Sequence, residues 1–182
     1  MPRPLRMIDP NGTYHIINRG NNKKRIFFDE SDYNYFLLLI SKMKDDFKFL
    51  LHHFVLMPNH FHFVLSPNGD DLSSVMRILQ GEYARYFSEK NKHVGHVWQS
   101  RYKSFIIDND AYLLACGNYI EMNPVRARLS SLSENWEWSS YRYYAFGEKN
   151  DLLTEDPFFR DLAVDINLRR KIYQNLVDKT RS

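Results

Sequence analysis

The sequence predicts an α+β fold: a ferredoxin-like βαββαβ antiparallel sheet with an added helix and an aromatic, helical C-terminal extension. Three observations predict it. Short runs rich in Tyr, Ile, Phe and Val alternate with segments whose apolar residues recur at helical spacing. Polar turns with Gly, Pro, Asn or Asp separate them. The 182 residues suit one main domain, expected over 13–130, with a basic arm at 1–12 and an extension at 131–182 packing on it.

The first third of the sequence is predicted to form a strand, a helix and a second strand. Residues 13–19 alternate as a strand, and the basic run 20–25 is read as a solvated turn, with a phosphate-contacting loop as the alternative. Asp29 then caps a helix, with Asp32 as its capping-box partner. A second strand is expected over 48–57.

The remaining elements complete the order. After a third strand starting at His60, an N-cap within 69–71 opens a helix to about Lys90, and 97–107 reads as the fourth strand. Asp108 caps the added helix, which stops at Asn123 because proline disfavours helix in the residue before it. A terminal helix begins near Pro157.

The amino-acid composition limits the classes of function and partner that the protein can have. A net charge of +3 favours an acidic partner weakly, and an aromatic share of 15% suits a rich core or stacking on single-stranded bases. The single cysteine, Cys116, excludes a disulfide framework and is expected to be a small buried residue. Without a long apolar run or a signal sequence, the protein is expected to be cytoplasmic, nucleoid-associated in a bacterium.

The third strand carries two histidines. Because side chains alternate along a strand, His60 and His62 share one face, while Phe61, Phe63 and Leu65 take the other. Two adjacent imidazoles can chelate one cation, and these residues alone leave zinc possible.

The added helix supplies the partners for this pair. Tyr119 and Asn123 lie four residues apart and so share a helix face. If that face meets the histidines, a cation held by His60, His62 and the Asn123 oxygen would polarise a phosphodiester that Tyr119 attacks. Tyr112, seven residues earlier, is the rival nucleophile. Glu121 points about 200° away and is expected to be a surface charge.

This combination resembles a known family. The motifs are MPNHFH at 57–62, YIEMNPVR at 119–126, VWQSRY at 97–102 and WEWSSY at 136–141. The first resembles the His-hydrophobic-His motif of the HUH single-strand endonucleases, and the second the tyrosine segment of their single-tyrosine transposase branch. The last two are similar to the REP-associated tyrosine transposases. The resemblance spans about 13–147.

The resemblance implies roles for these residues. His60, His62 and Asn123 become ligands of Mg²⁺ or Mn²⁺ in an HUH transposase domain over 13–130, and Tyr119 becomes the nucleophile. It implies cleavage and rejoining of single-stranded DNA at REP-like palindromic hairpins through a 5′-phosphotyrosine intermediate, by a monomer, with a swapped dimer left open. The general base is unassigned.

Basic residues near these elements are candidate DNA contacts: Arg3, Arg6, Arg19, Lys23, Arg25, Arg101, Lys103 and Arg126. Of the other histidines, at most one of His52 and His53 could face the site, and core or edge positions are favoured. His93 and His96 are expected in a solvated loop. The alternative function is a non-catalytic module that binds single strands on an aromatic sheet, as RNA-recognition domains do.

Overall fold

The computed structural model describes residues 9–67 and 72–179. Four antiparallel strands form one sheet in the order β2-β3-β1-β4. They are β1 (Thr13–Arg19), β2 (Leu50–Met57), β3 (His60–Ser66) and β4 (Lys103–Ile107). With a helix after β1 and another after β3, this order confirms the predicted ferredoxin-like arrangement.

Seven α-helices are present in the described part of the chain. They are α1 (Glu30–Phe47), α2 (Leu72–Asn91), α3 (Asp110–Glu121), α4 (Asn123–Arg126), α5 (Tyr141–Phe146), α6 (Pro157–Asp161) and α7 (Ile166–Lys179). The predicted capping box of α1 is confirmed, because Asp29 accepts from the backbone of Asp32 while the Asp32 carboxylate accepts from that of Asp29. The predicted cap within 69–71 lies outside the described residues.

The sheet is covered on both faces. Helices α1 and α2 pack on one face against Phe61 and Phe63, as the alternation of β3 predicts. Helix α3 packs on the other face, where Ile120 and the buried Cys116 meet Val64. The helix that carries Tyr119 therefore lies on the same face as His60 and His62.

Two predicted boundaries are wrong. Residues 97–102 are not part of the fourth strand, because Trp98 turns into the core against Phe61 and donates its indole N–H to the Gln80 carbonyl oxygen at 2.8 Å. The cap of α3 is Asn109, one residue later than predicted; its side chain accepts from the Tyr112 N–H at 2.9 Å.

Two predicted helix ends also differ. Helix α3 ends at Glu121, and Asn123 then begins the short helix α4 instead of stopping the chain. Pro124 is tolerated there because a first-turn residue needs no intrahelical N–H partner. The predicted terminal helix from Pro157 is broken into α6 and α7 between 162 and 165.

Residues after 131 lie against the sheet and α3. The Trp138 carbonyl oxygen accepts from the Leu56 N–H at 2.8 Å, and Ser140 donates its N–H to the Phe54 carbonyl at 3.0 Å. These bonds pair the segment with β2. No helix in the described ranges is long and apolar enough to cross a bilayer.

Gly117 sets how closely α3 approaches β2. A Cβ on Gly117 would lie 2.5 Å from Cε1 of His53, whereas a Cβ on Gly81, in α2, would meet nothing within 4 Å. Only glycine therefore fits at 117.

We predict opposite effects for two alanine substitutions. Gly117→Ala should lower the free energy of unfolding by about 1–3 kcal/mol, because helix and ring must separate. Gly81→Ala should raise it by about 0.5–1 kcal/mol through helix propensity. Urea unfolding followed by circular dichroism measures both, and equal effects would contradict the close approach.

Candidate active site

The two histidines of β3 sit side by side. Across the β1–β3 ladder, His60 pairs with Arg19 and His62 with Ile17. The two ring centroids are 5.1 Å apart, with the planes at 79°. The strand therefore brings the pair together as its alternation predicts.

Each ring is oriented through its Nδ1 atom. Nδ1 of His60 donates to Oδ1 of Asn59 at 2.6 Å, and Nδ1 of His62 lies 2.8 Å from Nε2 of His15 on β1. Neither Nε2 atom of the pair has a hydrogen-bond partner within 9–67 and 72–179. A partner on one ring nitrogen fixes the orientation in which the other can bind a metal.

Burial keeps both rings neutral at neutral pH. It lowers the pKa of His60 to about 4, with Arg19 adding to the effect. Burial is also the main reason that the pKa of His62 lies well below its ordinary value, and the nearby His60 and His15 lower it further. A neutral imidazole has the lone pair that a metal needs.

Helices α3 and α4 carry the other candidates. The Tyr119 side chain is 47% exposed, and the guanidinium carbon of Arg126 lies 4.6 Å from its ring centroid. Asn123 donates its amide N–H to the Ile120 carbonyl at 3.0 Å, which leaves its Oδ1 oxygen as an acceptor. Tyr112 is also exposed, at 52%, so exposure alone does not identify which tyrosine is the nucleophile. The two differ in that the Arg126 guanidinium lies over the ring of Tyr119.

The described residues contain no group of three or more His, Cys, Asp or Glu side chains that could hold a metal. An amide oxygen is a ligand type that hard divalent cations accept, and Asn123 carries the amide that the sequence analysis groups with His60 and His62.

The candidate DNA contacts divide by position. Arg19 is exposed beside His60, and its Nε donates to Oε1 of Gln99 at 2.6 Å. Four others are exposed: Lys23, Arg25, Arg101 and Lys103. Arg3 and Arg6 lie outside the described residues.

The expectation of a surface charge at Glu121 is wrong. Glu121 is fully buried, accepts from the Tyr173 hydroxyl at 2.6 Å, and is bonded to the Ser140 hydroxyl. Its Oε1 lies 3.0 Å from Nδ1 of His53. The helical angle predicted only that Glu121 points away from the face of α3 that carries Tyr119. The face on which Glu121 lies is covered by β2 and the C-terminal segment, so its carboxylate is buried.

His53 completes a buried charged cluster. Its Nε2 lies 2.9 Å from Oδ2 of Asp156, and its ring stacks on Tyr144 with centroids 4.5 Å apart. Burial lowers the pKa of His53, but hydrogen bonds to Asp156 and Glu121 outweigh it and raise the pKa to about 9. His53 is therefore a buried cation between two carboxylates.

The neighbouring His52 is buried as well. It bonds to the Thr154 carbonyl and the Ser66 hydroxyl at 3.2 and 3.0 Å, and burial lowers its pKa. An irregularity between Leu51 and His53 allows both histidines to be buried. The expectation of core histidines is confirmed.

Sequence reasoning missed His15. Its only sequence signal is that alternation along β1 places it on one face with Ile17. The strand pairing that sets His15 diagonal to His62 is visible only in the fold.

Comparisons with known proteins point to one family. A family model described as "Transposase IS200 like" matches residues 10–123. A REP-associated tyrosine transposase of Escherichia coli (strain K12) is 25% identical over 130 residues, which cover 70% of this chain and 74% of that protein. A solved structure of a REP-associated tyrosine transposase bound to a REP hairpin matches with a TM-score of 0.65 and 25% identity, covering 86% of this chain and 93% of that one.

The His53 cluster predicts a pH-dependent stability. Because the folded pKa of about 9 exceeds the ordinary 6.5, the stabilisation is complete below pH 6.5 and is lost as the pH rises through 9, by roughly 3 kcal/mol. Urea unfolding between pH 6 and 10 should show this fall in wild type and in the loop variant His96→Gln. His53→Gln should be less stable at pH 6 and should lack the fall; a fall of equal size in His53→Gln would contradict the assignment.

Proposed function

The chain belongs to the IS200-like transposase family, as an HUH tyrosine transposase, and we propose that it cleaves and rejoins single-stranded DNA beside hairpins through a 5′-phosphotyrosine on Tyr119. One observation carries the proposal. The helix with the exposed Tyr119 packs on the sheet face where the Nε2 atoms of His60 and His62 have no hydrogen-bond partner among the described residues. Nucleophile and metal-binding groups thus share one face of one chain.

We propose that His60, His62 and Asn123 hold Mg²⁺ or Mn²⁺ through two Nε2 atoms and one amide oxygen. The fit is supported by the neutral rings and by the fixed Nδ1 partners. When bound, the cation would polarise the scissile phosphodiester and offset charge on its oxygens.

The chain's own residues supply the transfer. The Tyr119 Oη attacks the phosphorus, and its proton passes to water. The bond from phosphorus to the 3′ oxygen breaks and that oxygen takes a proton from water, which leaves a free 3′ hydroxyl on one strand end and the 5′ phosphate on Tyr119. In rejoining, a 3′ hydroxyl attacks that phosphate and releases the phenol.

Arg126 is the proposed phosphate clamp. Its guanidinium already lies 4.6 Å from the Tyr119 ring centroid, and a guanidinium can hold two phosphate oxygens at once. Arg126 would thereby keep the phosphorus near Tyr119 in both steps.

Support for a hairpin substrate comes from the related structure, which is bound to a REP hairpin. The exposed cations Arg19, Lys23, Arg25, Arg101 and Lys103 would bind the phosphates of that DNA. Because α3 packs on the sheet of its own chain, we propose that a monomer is competent.

The test is a covalent adduct on a denaturing protein gel. The DNA is a hairpin from the flanks of the protein's own gene, labelled at its 3′ end so that the label stays on the tyrosine-linked fragment. We expect a labelled protein band with Mn²⁺ for wild type and Tyr112→Phe, and none for Tyr119→Phe or with chelator, since each removes an obligatory participant.

Two outcomes would contradict the proposal. A band that persists in Tyr119→Phe and disappears in Tyr112→Phe moves the nucleophile to Tyr112. Hairpin binding in chelator without any wild-type adduct replaces the enzyme with a non-catalytic binding module.

A further inference from the structure

The loop that follows β1, residues 20–26, is fastened to the turn between β2 and β3. The Asn59 carbonyl oxygen accepts the Gly20 N–H at 2.8 Å, and the Pro58 carbonyl oxygen accepts the Ile26 N–H at 2.8 Å. Both ends of this basic loop are therefore bonded to the two residues that immediately precede β3.

The basic loop has a close-packed and strained conformation. Asn22 and Lys23 have φ angles of 51° and 58°, in the left-handed region that side chains other than those of Asn and Asp rarely adopt. A Cβ on Gly20 would overlap the Lys24 carbonyl oxygen. Such a conformation persists only where surrounding contacts hold it, so the shape of the loop depends on its bonds to the turn.

The Asn59 side chain joins this loop to the first histidine of β3. Its Nδ2 donates to the Lys23 carbonyl oxygen at 3.0 Å, and its Oδ1 lies 2.6 Å from Nδ1 of His60. A backbone carbonyl can only accept, so the amide nitrogen must face Lys23 and the amide oxygen must face His60. These two hydrogen bonds form the Asn59 bridge.

The Asn59 bridge decides which ring nitrogen of His60 carries the hydrogen. The ring is neutral at neutral pH, so only one of its two nitrogens is protonated. An amide oxygen can only accept, so Nδ1 carries the hydrogen and Nε2 keeps the lone pair that a cation needs. If the amide of Asn59 turned over, its NH₂ group would face Nδ1, the hydrogen would move to Nε2, and His60 could not be a ligand.

The second histidine of the pair is oriented differently. Nδ1 of His62 lies 2.8 Å from Nε2 of His15, which belongs to the neighbouring strand β1. That contact lies within the sheet and does not involve the basic loop. Of the two candidate ligands, His60 is therefore the one whose orientation depends on the loop.

We propose that Asn59 is a positioning residue that transmits the conformation of the basic loop to His60. With the loop in its present form, the Lys23 carbonyl holds the amide so that His60 is in the tautomer that binds a cation. A displaced loop frees the amide and, with it, the tautomer. For the identity of the cation, this inference rests on the proposed function.

The consequence is a coupling between DNA binding and cation binding. Lys23 and Arg25 are exposed on the loop, so a phosphate bound there would stabilise the loop in its present form and raise the affinity of His60 for the cation. Coupling between two ligands is reciprocal, so the bound cation would also strengthen DNA binding at the loop.

The first test displaces the loop without changing its charge. Asn22→Val places a β-branched residue at a positive φ, whereas Asn22→Gly suits that angle. Nitrogen-15 NMR of the His60 ring in metal-free protein should show hydrogen on Nδ1 in wild type and Asn22→Gly, and a mixture of both tautomers in Asn22→Val. The Mn²⁺ dissociation constant, measured by electron paramagnetic resonance, should rise about three- to tenfold in Asn22→Val, because only the competent tautomer binds.

The second test separates the two bonds of the Asn59 bridge. In Asn59→Asp the carboxylate still accepts from Nδ1 of His60 but has no hydrogen to donate to Lys23. Adding Asn22→Val to Asn59→Asp should therefore leave the tautomer unchanged and alter the Mn²⁺ dissociation constant by less than about twofold. Asn59→Leu has no acceptor, so it should show mixed tautomers and bind Mn²⁺ about tenfold more weakly.

Lys48→Val is the matched control. Lys48 also has a positive φ, of 55°, but precedes β2 at the end of the sheet opposite His60. It should change neither the tautomer nor the Mn²⁺ affinity, and a cooperative thermal transition checks the fold of each variant. An equal effect of Asn22→Val with and without Asn59→Asp would overturn the inference, as would an unchanged tautomer in Asn59→Leu.

The metal-free NMR measurement separates this inference from the proposed function. A tautomer that responds to Asn22→Val in a protein that binds no Mn²⁺ supports the Asn59 bridge and overturns the proposed function. Mn²⁺ binding at the histidines with a tautomer that responds to neither Asn22→Val nor Asn59→Leu overturns the role of Asn59 alone.

Discussion

The structure depends on one buried ionic interaction, in which the His53 cation lies between the carboxylates of Glu121 and Asp156. All three side chains are fully excluded from solvent. A buried ion pair adds little net stability as a whole, but removing one partner costs about 3–5 kcal/mol because it leaves an uncompensated charge. The His53, Glu121 and Asp156 side chains are therefore stable in only one relative arrangement. Glu121 closes α3, midway between Tyr119 and Asn123, so this arrangement also fixes the proposed nucleophile.

The same interaction ties the C-terminal segment to the helix that carries the candidate site. Asp156 comes from that segment, and the hydroxyls of Ser140 and Tyr173 bond to Glu121. The Phe158 N–H in turn fixes the Asp156 carboxylate at 2.8 Å. A ferredoxin-like sheet alone leaves one face open; here α3 covers that face, and the segment after residue 131 supports α3 from behind. The histidines are held from the sheet side by Asn59 and His15, so both halves of the candidate site are preorganised.

Local patterns in the sequence were sufficient for much of this arrangement. Alternation along β3 predicted the faces of His60 and Phe61, and the capping box predicted the start of α1, because both depend on neighbours within a few residues. The errors came from long-range contacts. Trp98 leaves the predicted strand for a core that α2 builds, and Glu121 is buried against His53 and Tyr173, which lie 68 and 52 positions away in the chain. His15 was missed for the same reason, since only strand pairing brings it to His62.

We propose above all that the sheet and the helix end contribute ligands to one cation. The most direct measurement is the anomalous difference map of Tyr119→Phe crystals soaked in Mn²⁺. We expect one strong peak bonded to Nε2 of His60, Nε2 of His62 and Oδ1 of Asn123, with each His Nδ1 still on its present partner. A peak bonded to the histidines with the Asn123 oxygen turned away, or a peak elsewhere in the molecule, would contradict it.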